Sequence, residues 1–146
     1  MEYWARMDLL TSRLYIDFRR DLITITHSRG VRVHAIIDTG GQATIGNEAM
    51  RQALVRRRAR GTPSEVIDVT ATSQDAMGFP SPPIELGSIQ MQGARITYGD
   101  MQIFEHWHLT QEPTLLIGMD AIGLLDVFII DNRRHELQLR TRPGGV

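Results

Sequence analysis

The stretch that decides the fold is Ala35-Ile36-Ile37-Asp38-Thr39-Gly40-Gly41-Gln42-Ala43-Thr44. Its first three residues close a segment, 31–37, that opens by alternating apolar and polar positions. A strand that becomes wholly apolar toward its end is entering a core. Asp38 stands just past that end, and Thr39-Gly40-Gly41 makes a tight turn. Further on, Asn47 suits a helix N-cap and Glu48 the first turn, while Met50, Ala53 and Leu54 share one face. The spacing predicts a helix over 47–60, stopped by Gly61-Thr62-Pro63. Its last turn, Arg56-Arg57-Arg58-Ala59-Arg60, suits the negative pole of a helix dipole and reads as a solvated helix end. No aromatics interleave these charges, so nucleic-acid contact is not expected.

On either side of this segment the pattern is β. Residues 13–26 alternate around Arg19-Arg20-Asp21 and read as a hairpin, with a second turn at 27–30. Residues 66–72 read as a strand, and 73–83, polar with Gly and Pro, as a loop or hairpin tip. Short strands are expected at 84–86, 89–91, 94–97 and 101–104. An apolar strand at 114–118 precedes a short helix at 120–125, and a final hairpin turns at Asp131-Asn132-Arg133-Arg134. Many short strands at close spacing define an all-β barrel or sandwich, here with one main helix and one short helical turn.

Composition bounds the chemistry. The chain has 146 residues, 42% hydrophobic and 23% charged, with net charge −1, which is ordinary globular composition. Cysteine is absent, so disulfides, thiolate metal sites and a Cys nucleophile are excluded. All 16 basic residues are Arg, which excludes lysine Schiff-base chemistry and the P-loop lysine. Residues 1–6 lack a signal-peptide layout, no apolar run reaches membrane-spanning length, and the compartment is not specified. His106-Trp107-His108 would place two imidazoles on one side of a strand, but no third ligand is evident, so no metal is expected.

Two stretches match each other in order. Met7-Asp8-Leu9-Leu10, then Leu14 to Arg20, then Leu22 to Ile25 parallel Met119-Asp120-Ala121-Ile122, then Val127 to Arg134, then Leu137 to Leu139. Such repetition marks duplicated units. It suggests that 1–26 are the tail of a preceding repeat, or else the N-terminal hairpin of the same lobe. Residues 27–142 then form one lobe and 143–146 a tail.

Asp38-Thr39-Gly40, followed far downstream by Leu116-Ile117-Gly118 and a short helix, resembles the retropepsin-type aspartic proteases. The triplet matches the family's catalytic Asp-Thr-Gly, and the second motif its two apolar residues and glycine. The resemblance spans roughly residues 13–140 and implies a closed β-barrel lobe of acid-protease type. With the repeat, the chain is most similar to bacterial proteins that carry two such lobes in tandem. It implies an endopeptidase without cofactor, in which Asp38 supplies one of two carboxyls that hold a water. Thr39 would bond across a symmetry axis, Gly40 would admit close backbone approach, and Gly118 would leave room beneath the Asp loop. A flap is expected over the substrate at Thr72, Ser73, Met77, Gly78 and Phe79, with Met77 and Phe79 as its apolar contacts. Three positions depart from the family: Gly41 replaces the usual Ala, Met119 replaces the retroviral Arg, and the flap has no Tyr.

The chain holds a single Asp-Thr-Gly. The second would come from a homodimer or from pairing with an upstream lobe. A non-catalytic dimerisation or peptide-binding module is the reading of a different class. The expected partner is a peptide or protein substrate, with no nucleic acid and no membrane.

Overall fold

The fold is known from a computed structural model, which describes residues 5–8, 13–17, 23–57, 59–67, 73–93 and 95–142. In chain order the strands are β1 (Ala5–Asp8), β2 (Arg13–Asp17), β3 (Ile23–Ser28), β4 (Val31–Ile37), β5 (Ile45–Gly46), β6 (Thr62–Ile67), β7 (Ser73–Pro80), β8 (Ile84–Leu86), β9 (Ile89–Met91), β10 (Arg95–Tyr98), β11 (Thr114–Ile117), β12 (Leu125–Asp131) and β13 (Glu136–Thr141). The helices are α1 (Glu48–Leu54), α2 (Gln102–His106) and α3 (Met119–Ile122).

The class is all-β, as the sequence predicts. Nine strands form one sheet in the order β6-β7-β10-β5-β11-β4-β3-β8-β9, and β1-β2-β13-β12 form a second. The large sheet is an open run with β6 and β9 at its edges, where a closed barrel was expected. At its centre β11 lies parallel to β4, with Leu115 opposite Ala35 and Ile117 opposite Ile37. All four residues of β11 are buried, as suits a strand covered on both faces. Val33, Ala35 and Ile37 face one core cluster with Met50, Leu54, Leu115 and Leu137. Ile36 and Leu116 point the other way, into a second cluster with Ile23, Ile45 and Phe104. The period-two alternation of side chains thus builds a core on each side of the same two strands.

Several local expectations change. Residues 13–26 do not form a hairpin, because β2 pairs β1 and β13 whereas β3 pairs β4. The turn Arg29-Gly30 has φ of 48° and 79°, which makes it a two-residue hairpin loop whose twist suits paired strands. That short closure joins β3 to β4 instead. The two halves of the repeat accordingly pair differently: β12 and β13 make the expected hairpin, while β2 lies on the far side of β13. Residues 73–80 are a strand rather than a loop, paired to both β6 and β10. Residues 102–106 are a helix rather than a strand, because Ile103 and Trp107 fall on one helical face beside buried Phe104. A third helix therefore joins the two expected.

Helix α1 is capped as predicted but is shorter. The Asn47 side chain accepts from the Met50 amide at 2.9 Å. The helix ends at Leu54, with Val55 extended, and not at 60. Continuing it would stack Arg56, Arg57 and Arg60 as like charges three and four residues apart, and the β-branched Val55 adds nothing to prevent the exit. Beneath the helix, the Tyr98 hydroxyl is buried and its pKa is pushed up to about 12 by that burial, against the opposing pull of Arg29.

Asn47 is fully buried and fastens three segments. Its amide nitrogen donates to Leu109 O at 2.9 Å and Glu112 O at 2.7 Å, and its oxygen also accepts from Thr114 N at 3.0 Å. Removing it strands buried donors and acceptors, which costs more than the bonds themselves contribute. Asn47→Ala is expected to lower unfolding free energy by about 2–4 kcal/mol in urea denaturation. Asn47→Asp should also destabilise, because a carboxylate would face the Leu109 and Glu112 carbonyls. Unchanged stability in either variant would contradict this role.

Candidate active site

The parallel register of β4 and β11 brings two chain exits together. Ile37 and Ile117 are partners, so Asp38 and Gly118 leave the sheet side by side. The Asp38 amide donates to Ile117 O at 2.9 Å, extending the ladder one step past the strand. The loop then folds on itself: the Gly41 amide donates to Asp38 O at 3.3 Å, and the Gly40 amide donates to Asp38 Oδ1 at 3.1 Å. That is the local bonding by which an Asp organises a tight turn. Asp38 is half-buried, whereas Thr39 and Gly40 are exposed at the crest.

The chain next passes beneath the other exit. A Cβ on Gly118 would lie 2.5 Å from Ala43 O and 2.7 Å from Ala43 C. Only glycine lets the two backbones approach so closely. Met119 N donates to Gly41 O at 2.8 Å and Asp120 N to Gln42 O at 3.0 Å, so residues 41–42 and 119–120 are laced together. Thr44 completes the lock. Its hydroxyl donates to Asp120 Oδ1 at 2.6 Å and accepts from Gly118 N at 3.2 Å, and its amide donates to Asp120 Oδ2 at 3.1 Å. Thr44 is buried, which strengthens these bonds to a carboxylate. Sequence reasoning missed this pair, since 76 residues separate its members and no local pattern announces it.

Gly41 has its own reason to be glycine. A Cβ there would lie 2.5 Å from Asp38 Oδ2 and 3.1 Å from Cγ. The carboxylate rests where an added methyl would stand. Two of the other aspartates are engaged elsewhere: both Asp120 oxygens serve Thr44, and Asp131 Oδ1 accepts the amides of Arg133 and Arg134 in the last hairpin turn.

The expected flap residues divide. Thr72 lies outside the described residues. Ser73, Met77, Gly78 and Phe79 all fall on β7, which pairs antiparallel with β6, and residues 68–72 also lie outside the described residues. Phe79 does not reach toward a substrate. It is 4% exposed and packs edge-on against Tyr98, ring centroids 5.9 Å apart, so it is a core residue. Met77 is half-buried beside it, against Gly61. Leu116 and Ile117 end β11 in the core, and Gly118 follows them at the crossing with Ala43. Met119 is 37% exposed.

A cavity of about 270 Å³ opens beside the Thr44–Asp120 lock, between Ser81, Met91, Arg95 and Leu124. Asp38 is not among the residues lining it. The half-buried Asp38 carboxylate thus lies outside this cavity, beneath the exposed Thr39-Gly40 crest. Among the described residues, no group of three His, Cys, Asp or Glu side chains could hold a metal ion, and no helix is long and apolar enough to cross a membrane.

With that geometry established, comparison with known proteins adds the fold. A retropepsin-like aspartic protease from Rickettsia conorii has a similar crystal structure, with TM-score 0.60 and 15% identity over 95% of each chain. No family model matches the chain, and no curated protein matches it. The fold is therefore that of retropepsin-like proteases.

The lock yields a sharp contrast between neighbouring glycines. Gly118→Ala should cost about 2 kcal/mol or more, because the obstacle is backbone and cannot swing aside. Gly40→Ala, whose Cβ would meet only Asp38 Oδ1 at an ordinary 3.5 Å, should stay within about 1 kcal/mol of the parent. Thermal unfolding of both variants checks this, and equal losses would contradict the crossing as the site's structural constraint.

Proposed function

We propose that the chain is an aspartic endopeptidase whose catalytic pair is completed by the Asp38 of a second copy. The observation that carries this reading is Asp38 itself: a carboxylate held on a braced, glycine-bearing loop whose crest faces outward, with no competing ion pair among the described residues. Bracing matters because hydrolysis by two carboxyls depends on fixed geometry. The retropepsin-like fold supports the reading. So does the exposure of Thr39 and Gly40, which leaves the loop able to meet its own copy about a two-fold axis.

The chemistry follows from two carboxyls in one site. They cannot both ionise cheaply, so one stays protonated while the other is charged. The ionised Asp38 takes a proton from the bound water, whose oxygen attacks the peptide carbonyl carbon. The protonated Asp38 donates to the carbonyl oxygen, giving a neutral tetrahedral diol. The first carboxyl then gives its newly gained proton to the amide nitrogen while the second takes one from a diol hydroxyl; the C–N bond breaks, the acid and amine products leave, and the pair again holds one proton. No metal or covalent nucleophile enters any step. The peptide would lie extended between the two copies, its backbone pairing as a strand beneath the β6–β7 pairs. Because the pair must hold one proton, activity should be bell-shaped in pH.

Incubation of the purified chain and its Asp38→Asn variant with a denatured protein, from about pH 4 to 7, is the test. Mass spectrometry should find fragments from the parent and a loss of about 100-fold or more in the variant. Equal fragmentation by both, or none by a parent shown to be dimeric, would overturn the reading.

A further inference from the structure

The end of α1 carries a feature that neither the fold nor the site uses. Between residues 51 and 60 the chain holds five arginines and no acidic residue, in a protein of net charge −1. Arg51 is engaged: it bonds Glu48 Oε1 at 2.7 Å and lies 5.4 Å over the Phe79 ring. Arg56, Arg57 and Arg60 are exposed, and none has an ion-pair partner among the described residues. Nor do they serve the helix dipole, because α1 stops at Leu54 and its last carbonyl is taken by Arg29, whose Nη1 donates to Leu54 O at 3.3 Å. Arg29 reaches across from the β3–β4 turn and is itself exposed. Like charges at this density repel one another, and nothing described within the chain offsets that.

We propose that this arginine loop, with Arg29 at its base, is a docking surface for acidic segments of the protein substrate. The proposal rests on the peptidase reading for its biological sense. Strand β4, seven residues long, separates the Arg29 turn from Asp38, so the Arg29 backbone at the base of the loop lies roughly 20 Å from that carboxylate. An extended substrate would present its acidic segment about seven residues or more from the cleaved bond. Guanidinium forks match peptide carboxylates in planar, two-point geometry, which favours arginine over lysine for such a task. The surroundings disfavour other polyanions. No aromatic residue accompanies the run for stacking on nucleotide bases. The exposed large apolar side chains, Met7, Met119, Leu124 and Ile129, belong to other elements, so the loop has none to sink into a lipid surface.

The test is a binding measurement that needs no cleavage. The full-length Asp38→Asn chain is titrated against fluorescein-labelled oligoglutamate of about eight residues, near neutral pH and low salt, with oligoserine as control. Fluorescence anisotropy should show oligoglutamate binding and no oligoserine binding. The Arg56→Glu/Arg57→Glu double variant should bind at least about fivefold more weakly, and so should the parent at roughly 0.3 M salt. The milder Arg56→Gln/Arg57→Gln pair should fall between, which guards against a folding defect. Equal binding by the variants, or no oligoglutamate binding at low salt, overturns the proposal. So does tighter, arginine-dependent binding of a short DNA duplex or of phosphatidylserine vesicles. If the parent cleaves nothing yet binds oligoglutamate through these arginines, the peptidase reading falls and the anionic docking surface stands.

Discussion

The crossing of two loops beneath Asp38 is the constraint from which the rest of the molecule follows. Strands β4 and β11 run parallel, so a crossover must join them, and here it takes in residues 38–113 before the chain returns to the same level of the sheet. Everything between them, including α1, α2, the β6–β7 pair and four further strands, is housed in that excursion. When the chain returns, Gly118 slides against Ala43 with no room for a methyl group. Thr44 and Asp120 then close the crossing with bonds to both carboxylate oxygens. A carboxylate at the tip of a turn would otherwise be mobile. Here its backbone is tied to Ile117 on one side and its loop to Met119 and Asp120 on the other.

Packing serves the same end. The two strands share one hydrophobic core on the face of α1 and another on the face of α2. Burial on both faces leaves β11 no polar position except Thr114, and Asn47 satisfies that residue's amide. Asn47 therefore links the start of α1 to the start of β11, while Thr44, three residues earlier, links the same segment to its end. The stretch 44–47 is pinned at both ends of the central strand, which makes the Asp38 loop a rigid element. Rigidity of this kind is what two-carboxyl hydrolysis asks of its support.

Much of this was legible in the residues. The apolar finish of β4, the Asp-Thr-Gly turn, the Asn47 cap and the Leu116-Ile117-Gly118 exit are local patterns, and each lies where its pattern places it. What could not be read was non-local or a matter of competition. The Thr44–Asp120 lock depends on two distant residues meeting through tertiary structure. The hairpin at 13–26 lost to the two-residue Arg29-Gly30 closure, since alternation alone does not say which neighbour a strand chooses. Residues 101–104 are too few to separate a period of two from one of 3.6, and the decisive apolar residue, Trp107, lies beyond them. Phe79 has the chemistry of a substrate contact and also of a core residue, and only packing against Tyr98 distinguishes these. The arginine run fits a helix terminus until the helix is seen to stop before it.

The central claim is that two copies of one loop share a single catalytic proton. The most direct measurement mixes parent and Asp38→Asn chains in varied proportion, allows them to exchange, and follows cleavage at fixed total protein. If each active site needs one Asp38 from each of two copies, mixed pairs are inactive and the rate falls as the square of the parent fraction. A rate that falls in simple proportion to the parent fraction would show that each chain works alone, and would contradict the account.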